Sequence, residues 1–281
     1  MRIVSLLPST TEILFALGAG DDVVGVTFEC DHPAQARDRT IVSTSAMLEG
    51  LTPAEIDAYV VGAMARGEDL YHLDQGALAG LDADLVVTQD LCAVCAVDVS
   101  VVDDALAHLG CTADVLTIDP HTLEEVLESF VTIGAAVGRE QEGRDLAEDQ
   151  RRRLREIGVR THRLAKPRVL FLEWTDPPFA PGHWIPEMIL LAGGIPLLGT
   201  PGEKSRRITW DQARAADPDV VVVAPCGYDL AGASALAGEL VASGVLPAGL
   251  PVHAVDANAS WARPGTRLVD GVEELARLLH G

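Results

Sequence analysis

TLEEVLESFVTIGAAVGREQEGRDLAEDQRRRLREIGVRTH, residues 122–162, is the stretch on which the fold turns. Leu123, Val126, Leu127, Phe130, Ile133 and Val137 recur at the three-and-four spacing of a helix face. Thr122 and Glu125 stand three apart at its start, as a capping box requires. No proline interrupts it before Pro167. One unbroken helix of that length would run about 60 Å at the usual 1.5 Å rise per residue. Gly134, Gly138 and Gly143 are the points where it would bend or break.

The same grammar repeats on either side of this helical spine. Upstream, RIVSLL (2–7) reads as a buried strand stopped by Pro8, and Ser9 with Glu12 reads as a capping box opening a helix that ends at Gly18. Val23 to Thr27 is a second strand leading into ECDHP, and LDADLVVTQ (81–89) is a helix end running into a third. Ser100 and Asp103 suggest another cap, for the helix before Gly110. Downstream, RVLFLEW (168–174) mirrors RIVSLL, and AADPDVVVVAP (215–225) mirrors LDADLVVTQ. VHAVDA is a last strand and GVEELARLL a last helix. Strands alternating with helices argue parallel sheets. The expected fold class is therefore α/β, with two parallel-sheet lobes joined by a long connecting helix: an N-terminal lobe over 1–121, the spine over 122–165 and a C-terminal lobe over 166–281.

Composition narrows the function. Acidic residues outnumber basic ones 42 to 21, for a net charge of −21. Such a chain repels phosphate backbones and anionic membranes, so nucleic acid is excluded as a partner. Mean hydropathy is +0.21, which argues a packed core and not disorder. No apolar run approaches the ~20 residues of a membrane span. The run Ile3 to Leu7 is too short for the core of an export signal. As written, the chain is expected to be cytoplasmic, and extracytoplasmic if an export signal was trimmed. Five cysteines without a framework spacing fit reduced thiols.

Several segments resemble one known family. RIVSLLPSTTEILFALGAGDDVVGVT, LDADLVV, GVTFECDHP, TQDLCAVCAV, EWTDPPFAPGHWIPEMILLAGG and WARPGTRLVDGVEELARLLH look like the helical-backbone (class III) solute-binding proteins of bacterial ABC importers, in a sub-group that binds cobalamin. The resemblance spans nearly the whole chain. It implies a corrinoid such as cobalamin, or a related metal chelate, held as ligand between the lobes, with no cofactor required. It also implies acidic residues that present the protein to an importer permease: Asp211 on the second lobe and, beside Gly76, Asp74 on the first.

In open parallel sheets, ligands sit beyond the carboxyl ends of the strands. Applied to the motifs, this places Ser9, Cys30, Asp31, His32, Gln89, Cys92 and Cys95 at the mouth of the first lobe. It places Trp174, Phe179, His183, Trp184 and Cys226 at the mouth of the second, with Trp261 and Arg263 as a further wall and a charge. The loop EWTDPPFAPGHW is notable because three of the chain's few aromatic residues, plus His183, fall within eleven positions. Aromatic side chains offer large flat area with few torsions to freeze, which suits a planar macrocycle. The competing expectation is that the same rings fill the lobe's own core. Trp210 reads as helix packing.

The C-x-x-C of Cys92 and Cys95 leaves alternatives open. The two thiols could line the pocket as small soft hydrophobes. With Cys30 and Cys226 they could instead form a metal or redox cluster, although structural zinc usually draws on two such pairs. A thioredoxin-like pair needs a helix to start at the first thiol, and the next helix is expected only near Ser100. A cysteine nucleophile in a cytoplasmic enzyme on the same scaffold is the remaining alternative. No phosphate loop, dinucleotide fingerprint, H-E-x-x-H or G-x-S-x-G occurs in the sequence. Asp119-Pro-His121 only half-matches the D-x-H-x-x-G of corrinoid enzymes, since Glu124 stands where glycine is needed, and His121 is expected in a turn. The expectation is a monomeric binding protein for a small-molecule ligand, without catalysis.

Overall fold

The computed structural model describes residues 1–48, 50–68, 70–89 and 113–281. Cys92, Cys95 and the expected Ser100–Asp103 cap therefore lie outside the described residues. The chain divides into two compact units. The first comprises 1–120 and 128–147, and the second 121–127 and 148–281.

In the first unit, the described strands are β1 (Ile3–Ser5), β2 (Val23–Thr27), β3 (Thr40–Ser45), β4 (Tyr71–Leu73), β5 (Leu85–Thr88) and β6 (Asp114–Thr117). They form a sheet in the order β4-β3-β2-β1-β5-β6. Only the β3–β4 pairing is antiparallel among them. Val4, Leu6, Val42, Leu70, Leu78 and Val86 build the core on this sheet.

In the second unit, β7 (Arg168–Leu172), β8 (Trp174–Thr175), β9 (Pro178–Ala180), β10 (Ile195–Pro196), β11 (Arg206–Arg207), β12 (Val220–Val223) and β13 (Val252–Ala254) fall into two sheets. One is parallel, in the order β10-β7-β12-β13; the other is a small antiparallel ribbon, β11-β9-β8. Leu170, Leu172, Val221, Val223 and Leu240 form the centre of its core.

The echo between the halves has a physical basis. Arg2 opens β1 and donates its backbone N–H to the Asp84 carboxylate at 2.7 Å, while its Nε reaches the Leu81 carbonyl at 2.6 Å. Arg168 opens β7 in a similar way: its backbone N–H donates to the Asp219 carboxylate at 2.7 Å, its Nε to the Asp217 carbonyl at 2.8 Å and its Nη2 to the Ala216 carbonyl at 2.6 Å. The aspartates between, Asp82 and Asp217, both take left-handed backbone, with φ of 43° and 49°. Each arginine thus caps the end of a helical turn and fixes the entry of the neighbouring strand.

The spine is two helices, Leu123–Ala136 and Glu140–Thr161, and not one. Of the three candidate glycines, Gly138 makes the break, with φ of 71°. Gly134 and Gly143 serve another end: a Cβ on Gly143 would lie 2.4 Å from the Phe130 carbonyl oxygen, so the two helices touch backbone to backbone there. Leu123, Val126, Leu127, Phe130 and Ile133 of the first helix are buried, as are Ala147, Leu154 and Ile157 of the second. The expected cap is present: Glu125 N–H donates to Thr122 Oγ1 at 3.2 Å and Thr122 N–H to Glu125 Oε2 at 3.0 Å. These bonds, led by the one from the His121 N–H, hold the Glu125 carboxyl below its ordinary pKa.

The Ser9 cap is a correction. The helix Pro8–Ala16 starts one residue earlier, with Leu7 at the N-cap and Pro8 at its first position. Proline's fixed φ and missing N–H suit that position, so it sets the start. Ser9 lies inside the first turn and is buried.

Candidate functional site

At the carboxyl edge of the first unit, β1 leads to Ser9, β2 to Cys30, Asp31 and His32, and β5 to Gln89. Ser9, Cys30 and Gln89 are buried, Asp31 is half-buried and His32 exposed. Cys30 is engaged inside the unit, its Sγ lying 3.1 Å from the Thr11 hydroxyl. Thr11 also donates to Ser5 Oγ at 2.8 Å, and Ser5 and Thr10 share a 2.6 Å hydrogen bond. Cys30 is therefore part of a buried hydroxyl network under the first helix. Phe28 and Tyr71 pack at 6.0 Å nearby, and the Tyr71 hydroxyl donates to Glu29 Oε2 at 3.5 Å.

At the carboxyl edge of the second unit, β7 runs through Glu173 straight into the ribbon. Glu173 fixes it from both sides: its carboxylate accepts the Gly182 N–H at 2.8 Å, and its carbonyl accepts the Cys226 N–H at 3.2 Å. Gly182 is a position where only glycine fits, since a Cβ would fall 2.1 Å from the Ser205 amide nitrogen. This brings the 181–184 loop onto 203–205, where His183 N–H donates to the Glu203 carbonyl at 2.6 Å.

The ribbon register decides which side chains share a face. Trp174 pairs with Phe179, and Phe179 with Arg207. Residues directly opposite on antiparallel strands point to the same side. Trp174, Phe179 and Arg207 therefore form one row. The Arg207 guanidinium lies 5.8 Å from the Phe179 ring centre, within cation–π range. Tyr228, from the loop after β12, meets Trp174 edge-on at 5.8 Å. The Trp174 indole N–H donates to the Asp176 carbonyl at 3.1 Å, which fixes the ring. Trp174, Phe179 and Tyr228 are half-buried, leaving part of each ring to solvent. Burial pushes the Tyr228 phenol up, so it stays a neutral hydrogen-bonding group at pH 7.

Two of the expected wall residues are corrected. Trp184 is 4% exposed and Trp261 0% exposed. The Trp184 indole N–H donates to the Trp261 carbonyl at 2.8 Å, and Trp261 packs at a tilt against Phe171, with ring centres 5.0 Å apart. Both rings are core of the second unit, because the segment 257–271 folds over them: a Cβ on Gly271 would lie 3.1 Å from the Trp261 ring. His183 is half-buried, with its ring 5.6 Å from that of His121. Arg263 is half-buried and Cys226 exposed. Cys30 and Cys226 belong to different units, and among the described residues no three metal-ligating side chains gather.

Asp74 and Asp211 are both exposed. Asp74 is the N-cap of the helix Gln75–Ala79 and accepts the Ala77 N–H at 3.0 Å. Asp211, in the first turn of Trp210–Ala215, pairs with Arg214. Trp210 packs against the second core, as expected.

Comparison with known proteins places the chain. The model of the family described as periplasmic binding protein matches residues 3–243. The chain belongs to the periplasmic binding protein family. Similar members include the vitamin B12-binding protein of Vibrio cholerae serotype O1, 25% identical over 228 residues, covering 78% of this chain and 69% of that one. An uncharacterized ABC transporter substrate-binding lipoprotein of Bacillus subtilis, YvrC, is 28% identical over 183 residues, covering 63% of this chain and 48% of its own. Among solved structures of this fold, the periplasmic haem-binding protein HutB of Vibrio cholerae superposes with a TM-score of 0.73 at 20% identity, covering 100% and 99% of the two chains. The family is one of substrate-binding proteins. Its helical-backbone build agrees with the larger, mainly parallel sheet of each unit and the connecting helices found here. Among the described residues, no helix is long and apolar enough to cross a membrane.

Sequence reasoning missed Arg207 and did not single out Tyr228 within its loop. The row exists only through the pairing of β11 with β9, about 27 residues apart in the chain, and such register is not written locally. The one available signal was a basic cluster, Lys204 to Arg207, in a strongly acidic chain.

Proposed function

We propose that the protein binds a bulky, flat metal chelate without transforming it, and that a corrinoid such as cobalamin is the occupant. The row of half-exposed rings, Trp174 and Phe179 with Tyr228 at its side, carries this reading. It stands at the carboxyl ends of β7 and β12, where parallel sheets receive ligands. Rigid rings gain contact area on a planar macrocycle at little cost in side-chain entropy. The ligands named for the relatives, vitamin B12 and haem, support it, since both are large metal macrocycles.

The other residues proposed to take part are Ser9, Asp31, His32, Gln89 and the neighbourhood of Cys30, with Cys92 and Cys95, in the first unit, and His183, Cys226 and Arg263 in the second. The Vibrio and Bacillus relatives favour an extracytoplasmic address and delivery to an ABC importer permease. Asp74 and Asp211 are the acids proposed to meet that permease, with the protein acting as a monomer.

Titrating the purified protein with cobalamin, followed by visible spectroscopy and calorimetry, tests the reading. Saturable one-to-one binding is expected. Trp174→Ala should weaken it about tenfold or more, the scale of a lost stacking contact. The absence of both a spectral change and heat at micromolar protein removes cobalamin, and an unaffected Trp174→Ala variant removes the aromatic row.

A further inference from the structure

We propose that the second connecting helix, Glu140–Thr161, is the surface through which two copies of this chain pair, antiparallel and side by side. The pairing is separate from ligand binding. The helix has two sides. Gly143, Ala147, Gln150, Leu154, Ile157 and Thr161 are buried. Gln141, Asp145, Glu148, Arg152, Arg155 and Val159 are exposed and recur at the same alternating spacing of four and three. That spacing lines side chains along one seam, the arrangement by which two helices meet lengthwise. Val159 is 72% exposed, an apolar side chain that pairing would cover. With Arg152, Arg155, Glu156 and Arg160 it lines an open depression on the helix surface.

The seam carries its own complement. Its first half holds Asp145 and Glu148, its second Arg152 and Arg155. With a second copy turned about a two-fold axis at Gln150, Glu148 of each copy meets Arg152 of the other, Asp145 meets Arg155, and Gln141 meets Val159. A two-fold contact requires this reciprocity. The helix as a whole is divided the same way: five acids and one base over 140–150, five bases and one acid over 151–161. A helix dipole favours that order of charge, but only within the first and last turns, and these four residues lie between them. Within one chain Arg155 pairs with Glu148 at 2.7 Å, and Arg152 with Asp149 and Glu156. The three side chains Glu148, Arg152 and Arg155 nonetheless keep 63%, 55% and 60% of their surface in solvent. Exposed pairs of this kind contribute little, so a cross-chain partner can join or replace them at small cost. A charged seam binds weakly, and the single copy proposed to meet a permease is released on dilution.

Salt sets the window for the test. Each copy carries −21, so two copies repel at long range. At about 0.1 M salt the Debye length is ~10 Å, which screens that repulsion and spares contacts within the seam; at about 1 M it is ~3 Å, and the contacts are cut as well. Analytical ultracentrifugation of the whole chain from about 5 to 500 μM should show a monomer–dimer equilibrium at the lower salt and monomer alone at the higher. Two charge-reversed variants follow: Arg152→Glu with Arg155→Glu, and Asp145→Arg with Glu148→Arg. All four positions are exposed, and thermal melting shows that each variant is folded. Either variant alone should raise the dimer dissociation constant about fiftyfold or more, because four cross-chain pairs turn from attraction to repulsion. Mixed in equal amounts, the two variants should pair again, since each reversed half then meets its opposite. A native protein that stays monomeric across the range overturns the inference. So does a variant that pairs as the native chain does, which would place the contact elsewhere, or a mixture that remains monomeric, which would refute the antiparallel register.

Discussion

Trp261 and Trp174 belong to the same unit and are the same residue type, yet one is sealed against Phe171 and the other keeps part of its ring in water beside Tyr228. Their substitutions should therefore separate cleanly. Trp261→Ala removes a fully buried ring and should cost about 3–5 kcal/mol of stability, read as a fall in the denaturant midpoint. Trp174→Ala should leave that midpoint almost unmoved. A stable Trp261→Ala protein would contradict the packing described for the second unit. The sequence showed that aromatic residues cluster in this loop but not which would turn inward. That choice is made by contacts from afar: Trp184 is fixed by a carbonyl 77 positions later. His183 and Arg263 are half-buried, and Cys30, expected at the mouth, lies against the Thr11 hydroxyl inside the first unit.

Among the elements, the two connecting helices carry the sharpest expectation. Gly143 lets the second helix rest on the backbone of the first, where a Cβ would sit 2.4 Å from the Phe130 oxygen and 3.0 Å from the Val131 Cα. Alanine favours helices intrinsically, so on propensity alone Gly143→Ala should stabilise by up to ~1 kcal/mol. Overpacking against immovable backbone reverses the sign, and a net loss of about 1–3 kcal/mol is expected in chemical denaturation. A more stable variant would mean that the helices are not in close contact. The helical period of 122–162 and its Thr122–Glu125 cap were legible, because both are local patterns. Which glycine would break the run was not, because Gly138 is chosen by the return of the chain and Gly143 by its neighbour helix. The error at Ser9 has a similar origin: two start signals overlapped, and Pro8 prevailed over the serine.

Taken whole, the molecule is strongly acidic, and a run of its arginines lies along the second connecting helix. Along the second connecting helix, Arg152 pairs with Asp149 and Glu156, Arg155 with Glu148, and Arg153 with Asp270. These pairs are exposed and individually weak. With −21 overall, self-repulsion should dominate the salt response. Raising sodium chloride from about 10 mM to 300 mM shortens the Debye length from ~30 Å to under 10 Å. The melting temperature should rise by about 2–5 °C over that range. A fall would show that the arginine pairs outweigh the general repulsion. Two-lobedness was legible at this scale because the Arg2–Asp84 and Arg168–Asp219 devices leave matching letters in both halves.

The division of the chain has a practical consequence. Residues 128–147 complete the first unit and 121–127 the second, so the polypeptide passes from one to the other three times. A gene fragment ending at Pro120 would lack Phe130 and Ile133, both fully buried in the intact protein, and would display the bare slot they fill. Extending it to Ala147 repairs that slot but carries away the segment holding Leu123 and Val126. No single scissor point yields two self-sufficient pieces, and anyone wishing to study one half by itself must redesign its seam.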